Sequence, residues 1–201
     1  NGRSDNAGYT WAGGIDQRGY SRYIGGFLDS GAVQNQDASG DTVRGTLVGA
    51  TVFFDRNFNG VLDADEPSTV TGSDGSYTLV VNSDIRAAGG QFVVLGGTDI
   101  STNLANVIPM TSPNSYQVVT PFSTLVNALI RGESDSESAA EARVITLLGL
   151  PVSIDLNSYN PIGQLQASDP SAPAVFASEV RLDQSIYTVA RMIAGATGAP
   201  A

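Results

Sequence analysis

Between residues 55 and 66 the chain reads DRNFNGVLDADE, and oxygen-bearing side chains fall at fixed intervals. Asp55, Asn57 and Asn59 stand at positions one, three and five, Gly60 at six, Asp63 at nine and Glu66 at twelve. In a tightly curled loop alternate residues turn inward, so three short donors spaced by two can face one centre. Glycine at six permits the sharp reversal, and the main-chain carbonyl of Val61 at seven adds a further donor. Asp63 at nine acts directly or through a water, and a carboxylate at twelve closes the shell with both oxygens. Hard oxygen donors in that number suit one calcium ion, whereas magnesium demands a tighter octahedral shell and keeps its waters. An acidic hairpin loop without an ion is the plain alternative, but it does not require every one of these positions to be filled.

The composition narrows what else the chain can do. Its 201 residues suffice for one sizeable core or two small ones, and 41% hydrophobic residues with a mean hydropathy near zero argue against wholesale disorder. All ten basic residues are Arg, and Lys, His and Cys do not occur. Phosphate loops of the Walker type need Lys, Ser–His and Cys–His catalysis need His, and the usual zinc sites need His or Cys. Disulfides are excluded as well. The net charge of −10 makes nucleic acid and anionic membranes poor partners, because both require a positive field. No apolar run approaches the ~18 residues of a membrane span, and the opening NGRSDNAGYT lacks the basic-then-apolar pattern of a secretory leader. Many of the acids are Asp set beside Gly, Asn or Ser, in turn-rich surroundings that suit a hard cation.

The elements that must position the loop divide into a β half and a helical half, an α+β chain. Residues 1–42 read as a loop-rich segment with aromatics at Tyr9, Trp11, Tyr20, Tyr23 and Phe27 and one edge or exchanged strand within YSRYIGGFLD. Residues 43–119 read as a β-sandwich. Val48, Ala50, Val52 and Phe54 alternate with smaller or outward residues before the loop. A short extended piece at 68–71, an Asp74-Gly75 turn, an alternating strand through Tyr77, Leu79 and Val81, a buried strand in QFVVLGG at 91–97 and a last one at 116–119 follow. From 120 to 195 the period becomes helical. Thr120 caps a helix with Pro121 at its first position, and Phe122, Leu125, Val126, Leu129 and Ile130 form its apolar stripe, with Gly132 as its stop. Ser138 and Glu141 form a capping box for a second helix ending at Gly149. Asp169-Pro170 opens a third helical stretch bearing Val175, Phe176, Val180, Ile186, Tyr187, Ala190 and Ile193, and residues 196–201 form a tail. The stripes read as core packing.

The stretch GTLVGATVFFDRNFNGVLDADEPSTVTGSDGSYTLVV resembles the calcium-binding B-type repeats of serine–aspartate repeat adhesins, and the related carboxypeptidase-regulatory-like, prealbumin-type β-sandwiches of bacterial surface proteins. The shared pattern is a strand, D-x-N-x-N-G-x-x-D-x-x-E, a short extended piece, and D-G-x-Y ahead of another strand. About 40 residues match well and about 75 loosely. VVTPFSTLVNALI, AEARVITLLGLPVSIDL and YNP resemble the helical segment that follows such modules in very large secreted bacterial proteins. The resemblance implies an Ig-like or prealbumin-type β-sandwich followed by a small helical subdomain, an extracellular location, and Asp55, Asn57, Asn59, Val61, Asp63 and Glu66 as ligands of a stiffening calcium ion. Some relatives lock themselves with a Lys–Asn isopeptide bond, which a chain without Lys cannot form. A strand leading into the loop departs from a true EF-hand, whose loop follows a helix. The ion is therefore expected to brace a sheet connection, with a Kd of about 0.1–1 mM as in extracellular modules.

Other oxygen-rich positions have plainer readings. Asp74 makes a turn, with a ligand or interface contact as the alternative, and Asp99 caps the loop after Gly96-Gly97. Asp155, Asn157 and Asn160 in IDLNSYNP offer donors for a second cation or form an ordinary turn before Pro161. Paired carboxylates can hydrolyse glycosides without His, but nothing in the sequence sets two of them across a cleft, and no catalytic residue is assigned. The expectation is a secreted, non-enzymatic, calcium-binding structural or adhesive module of a cell-surface protein or extracellular fibre. Residues 1–40 would pair with another domain or copy by β-strand addition, with a glycan or surface receptor as a further partner. A carbohydrate-binding or carbohydrate-processing domain using Trp11 is the rival.

Overall fold

The computed structural model describes residues 23–24, 27–28, 35–42 and 46–197. Their strands are β1 (Tyr23–Ile24), β2 (Phe27–Leu28), β3 (Asn35–Thr42), β4 (Leu47–Val48), β5 (Thr51–Asp55), β6 (Ser68–Val70), β7 (Ser76–Asn82), β8 (Gln91–Leu95), β9 (Thr98–Asp99), β10 (Leu104–Ala105), β11 (Met110–Pro113) and β12 (Val118–Val119). The helices are α1 (Ser83–Ala87), α2 (Pro121–Glu133), α3 (Glu137–Leu148), α4 (Pro161–Gln166) and α5 (Ala172–Thr197). The chain is a mixed α+β protein with several sheets.

One sheet has the order β11-β8-β5-β6 and is antiparallel throughout; a second, β12-β3-β7, pairs β3 antiparallel to β7 and parallel to β12. Val52, Phe54, Phe92, Val94 and Met110 from the first meet Tyr77, Leu79, Val81 and Val119 from the second in one core. The Phe54 and Phe92 rings meet edge to face with centroids 5.3 Å apart, a favoured aromatic geometry. Period-two alternation explains the inward set on β7, where Tyr77, Leu79 and Val81 are buried and Thr78 and Val80 are exposed. On β5 and β8 the alternation fails: Phe53 and Val93 on the opposite face are also fully buried. In register with them is Thr111, and α2 covers that side through hydrogen bonds of Ser123, Thr124 and Asn127 to Thr111. The strands under α2 are thus sandwiched between a sheet and a helix, as continuous apolar runs require.

A second core joins Phe122 and Val126 of α2, Ala140 and Val144 of α3, Leu150, Ile154 and Leu156 of the following loop and Val175 of α5, together with Tyr116. Thr120 caps α2 and Pro121 stands at its first turn, as the sequence predicts, and the structure adds a capping box between Thr120 and Ser123.

Several boundaries differ from expectation. Residues 35–42 are not loop or edge: β3 is the middle strand of its sheet, so the sandwich begins before residue 43. A Cβ at Gly40 would collide with the Gln117 carbonyl, so this glycine allows β12 to approach β3. The strand expected to run from Val48 to Phe54 is broken at Gly49, whose positive φ of 70° sends β4 to a separate small sheet, β10-β9-β4. Helix α2 runs past Gly132 and stops at Ser134 in the left-handed region. The cap of α3 is Ser136, not Ser138, and Glu141 instead accepts a hydrogen bond from the Leu156 amide. α5 extends to Thr197, and its second half exposes Val189, Met192 and Ile193, so the apolar stripe there is not core. The β9–β10 hairpin, β11, α1 and α4 lack a clear period and are found only in the fold.

Candidate functional site

The loop of residues 55–66 leaves the end of β5 and returns to β6, so a strand does lead into it. Its mouth is closed by the Phe54 amide donating to the Pro67 carbonyl at 3.1 Å. Phe58 and Gly60 take positive φ values of 62° and 73°, which curl the backbone tightly. Glycine adopts that region freely, whereas Phe58 does so at a cost.

Within the curl the polar atoms are bonded to one another. Asp55, fully buried, accepts from the Asn59 amide at 3.2 Å through Oδ1, and from the Gly60 amide at 2.9 Å through Oδ2. Asn57 Oδ1 accepts from the Asn59 amide, and Asn59 Oδ1 from the Val61 amide at 2.7 Å. The carboxamide nitrogens of Asn57 and Asn59 both donate to Asp63 Oδ2, at 2.8 and 3.0 Å. Glu66, 8% exposed, spans the loop: Oε1 accepts from the Arg56 amide at 2.8 Å and Oε2 from the Asp63 amide at 3.1 Å. The fold thus brings the side chains of Asp55, Asn57, Asn59, Asp63 and Glu66 into one bonded loop, with Val61 tied in through its amide.

Among the described residues, no group of three or more His, Cys, Asp or Glu side chains is disposed to hold a metal ion. The donor set drawn from the loop is mixed: three carboxylates, two carboxamides and the Val61 carbonyl. That chemistry fits a hard cation.

The loop is also held from outside by residues that the motif does not contain. Gln91 at the start of β8 donates to Asp55 Oδ2 at 2.7 Å, and Asn127 of α2 donates to Gln91 Oε1 at 2.7 Å. Asp55, Gln91 and Asn127 are all buried, and each of the two hydrogen-bonded pairs is separated by 36 residues in sequence. One turn further along α2, the Arg131 guanidinium lies 3.9 Å from the centroid of the Phe58 ring. Helix α2 therefore grips both the entry and the apex of the loop. Sequence reasoning assigned Gln91 to a buried strand and passed over Asn127. Its one signal was a polar side chain set within an apolar helical stripe.

The remaining sequence candidates are engaged elsewhere. Asp74 Oδ1 accepts from the Ser76 amide and hydroxyl, and these bonds hold its carboxyl below the ordinary range. Asp99 accepts from Ser101 and Thr102, capping the turn between β9 and β10. Asp155 accepts from the Asn157 amide and the Ser158 hydroxyl; Asn157 donates to the Ser115 carbonyl; Asn160 caps α4 and donates to Asp41. These three serve a turn, a strand connection and a helix cap. Trp11 and most of the segment expected to add a strand to a neighbour lie outside the described residues. No helix among the described residues is long and apolar enough to cross a membrane.

Comparison with protein-family models, with curated proteins and with solved structures finds no match to this chain.

Proposed function

We propose that residues 55–66 bind one calcium ion and that the ion stiffens a β-sheet connection in a secreted structural or adhesive module. The observation that carries the reading is the convergence of the Asn57 and Asn59 carboxamides on Asp63 Oδ2, with Glu66 clamping both ends of the loop. Turning each carboxamide about its last torsion exchanges nitrogen for oxygen at that centre. Asp55, Asn57, Asn59, Asp63 and Glu66, with the Val61 carbonyl, would then hold the ion. A hard cation would draw the three carboxylates of the loop toward one centre.

The two facing sheets agree with a prealbumin-type or Ig-like sandwich followed by a helical subdomain. The strand-to-loop entry favours bracing over signalling, because β5 and β6, both strands, flank the loop. An acidic chain without Lys, His or Cys fits the cell surface or an extracellular matrix, where calcium is plentiful and replaces covalent cross-links. Other domains or copies of the chain would be its partners, through strand addition by the segment ahead of β3, since β3 itself is paired on both sides.

Thermal melting with calcium and with chelator tests the assignment. At calcium near 100 Kd, binding to the folded state alone adds about 2.7 kcal/mol, a rise in Tm of about 5–10 °C for a chain of this length. The double variant Asp55→Ala, Glu66→Ala should lose the entire calcium response. A wild-type Tm that does not move at saturating calcium ends the proposal.

A further inference from the structure

A cleft of about 510 Å³ lies between the β9–β10 hairpin and α5, on residues that the calcium loop does not use. Its walls include Leu47, Leu104, Val107, Phe176 and Val180, and Glu179 of α5 is among its lining residues. Glu179 is 2% exposed, and neither of its carboxylate oxygens meets a hydrogen-bond donor among the described residues. A buried carboxylate without donors is costly, and a cation that brings its own donors would relieve that cost.

The chemistry of that partner follows from the surroundings. The charged residues lining the cleft, among those described, are Asp99, Glu179 and Asp183, and all are acids. Tyr187 lines it too. The guanidinium of Arg191, on the same helix, is spent on the Tyr187 hydroxyl and ring. Among the described residues no three carboxylates stand together to hold a metal ion, which disfavours a bare divalent cation here. An ammonium group reaches one oxygen well. A guanidinium presents a planar fork that satisfies two carboxylate oxygens at once, and its weaker hydration eases burial.

We propose that this cleft binds a guanidinium group on an apolar stem, with Glu179 as its bidentate counter-ion and Asp183 and Asp99 adding negative potential at the walls. Burial first, and the Asp183 charge second, push the Glu179 carboxyl up to about 8, so at pH 7 the incoming cation displaces its proton to solvent. The ligand is either a small alkylguanidine or the side chain of an arginine in a peptide.

Calorimetric titration of the full chain with butylguanidinium, in two buffers of different ionisation enthalpy at pH 7, tests this. Saturable binding is expected, with release of close to one proton. Butylammonium should bind at least tenfold more weakly, and neutral butylurea should show no saturation. Glu179→Gln should weaken butylguanidinium at least tenfold and abolish proton release, while its circular dichroism and calcium response stay those of wild type. N-acetyl-arginine amide separates the sources: tighter binding than butylguanidinium assigns the cleft to peptide arginine, weaker binding to a small ligand, and either supports the proposal. Absence of saturable binding by both guanidines, or equal affinity in Glu179→Gln, overturns it. So does calcium competing for the cleft in the Asp55→Ala, Glu66→Ala background.

Discussion

Asp55 and Glu179 are both buried carboxyl groups in a chain of net charge −10, and their surroundings are opposite. Asp55 accepts hydrogen bonds from the Asn59 and Gly60 amides and from the Gln91 side chain. Glu179 accepts none among the described residues. Burial is common to the two, so burial does not set their roles. Donors do: Asp55 is one node of a network reaching α2, whereas the buried Glu179 oxygens meet no donor among the described residues. A carboxylate held by donors organises its loop before a cation arrives. One without donors needs a cation that carries its own.

The largest test of this contrast is the pH dependence of Glu179→Gln. The carboxyl is raised from 4.5 to about 8 in the folded state, so between those values the folded protein holds a proton that the unfolded chain has lost. Its favourable contribution is complete below about pH 4.5 and is lost as pH rises toward 8, at a rate of at most about 1.4 kcal/mol per unit. Urea unfolding of wild type and variant across pH 4–9 should show wild type falling steadily behind. Parallel curves would break the comparison.

Gln91→Leu should come next. It removes a donor from buried Asp55 and an acceptor from buried Asn127, at about 1–3 kcal/mol. It should also weaken calcium severalfold, measured by melting in a calcium series. Arg131→Ala deletes a contact at the loop apex worth about 0.5–1 kcal/mol and should lower Tm by a few degrees with a small calcium effect. Asp74→Ala, in an exposed turn distant in sequence from both carboxyls, should leave the calcium response and the guanidinium titration unchanged.

The same comparison marks what is legible in the residues alone. Local patterns were read well where the physics is local. The Thr120–Pro121 helix start, the alternation on β7, the Gly149 stop and the Asp74-Gly75 turn depend on neighbours within a few positions. Strand β3 was missed because its NQDASGDT sequence lacks apolar alternation; its place follows from pairing with β7 and β12. Gly49 shows how one residue free to adopt positive φ divides an apparently continuous strand between two sheets.

For the two carboxyl groups the division is sharper. Spacing by twos and a glycine at position six determined the curl of residues 55–66 and its donor set, since those interactions span no more than twelve residues. Tertiary structure alone decided that Gln91, Asn127 and Arg131 hold that loop, because each contact joins residues far apart in the chain. It alone turned Glu179 inward as well. In sequence that residue is one acid on an amphipathic helix, and only its place in the tertiary fold removes it from water.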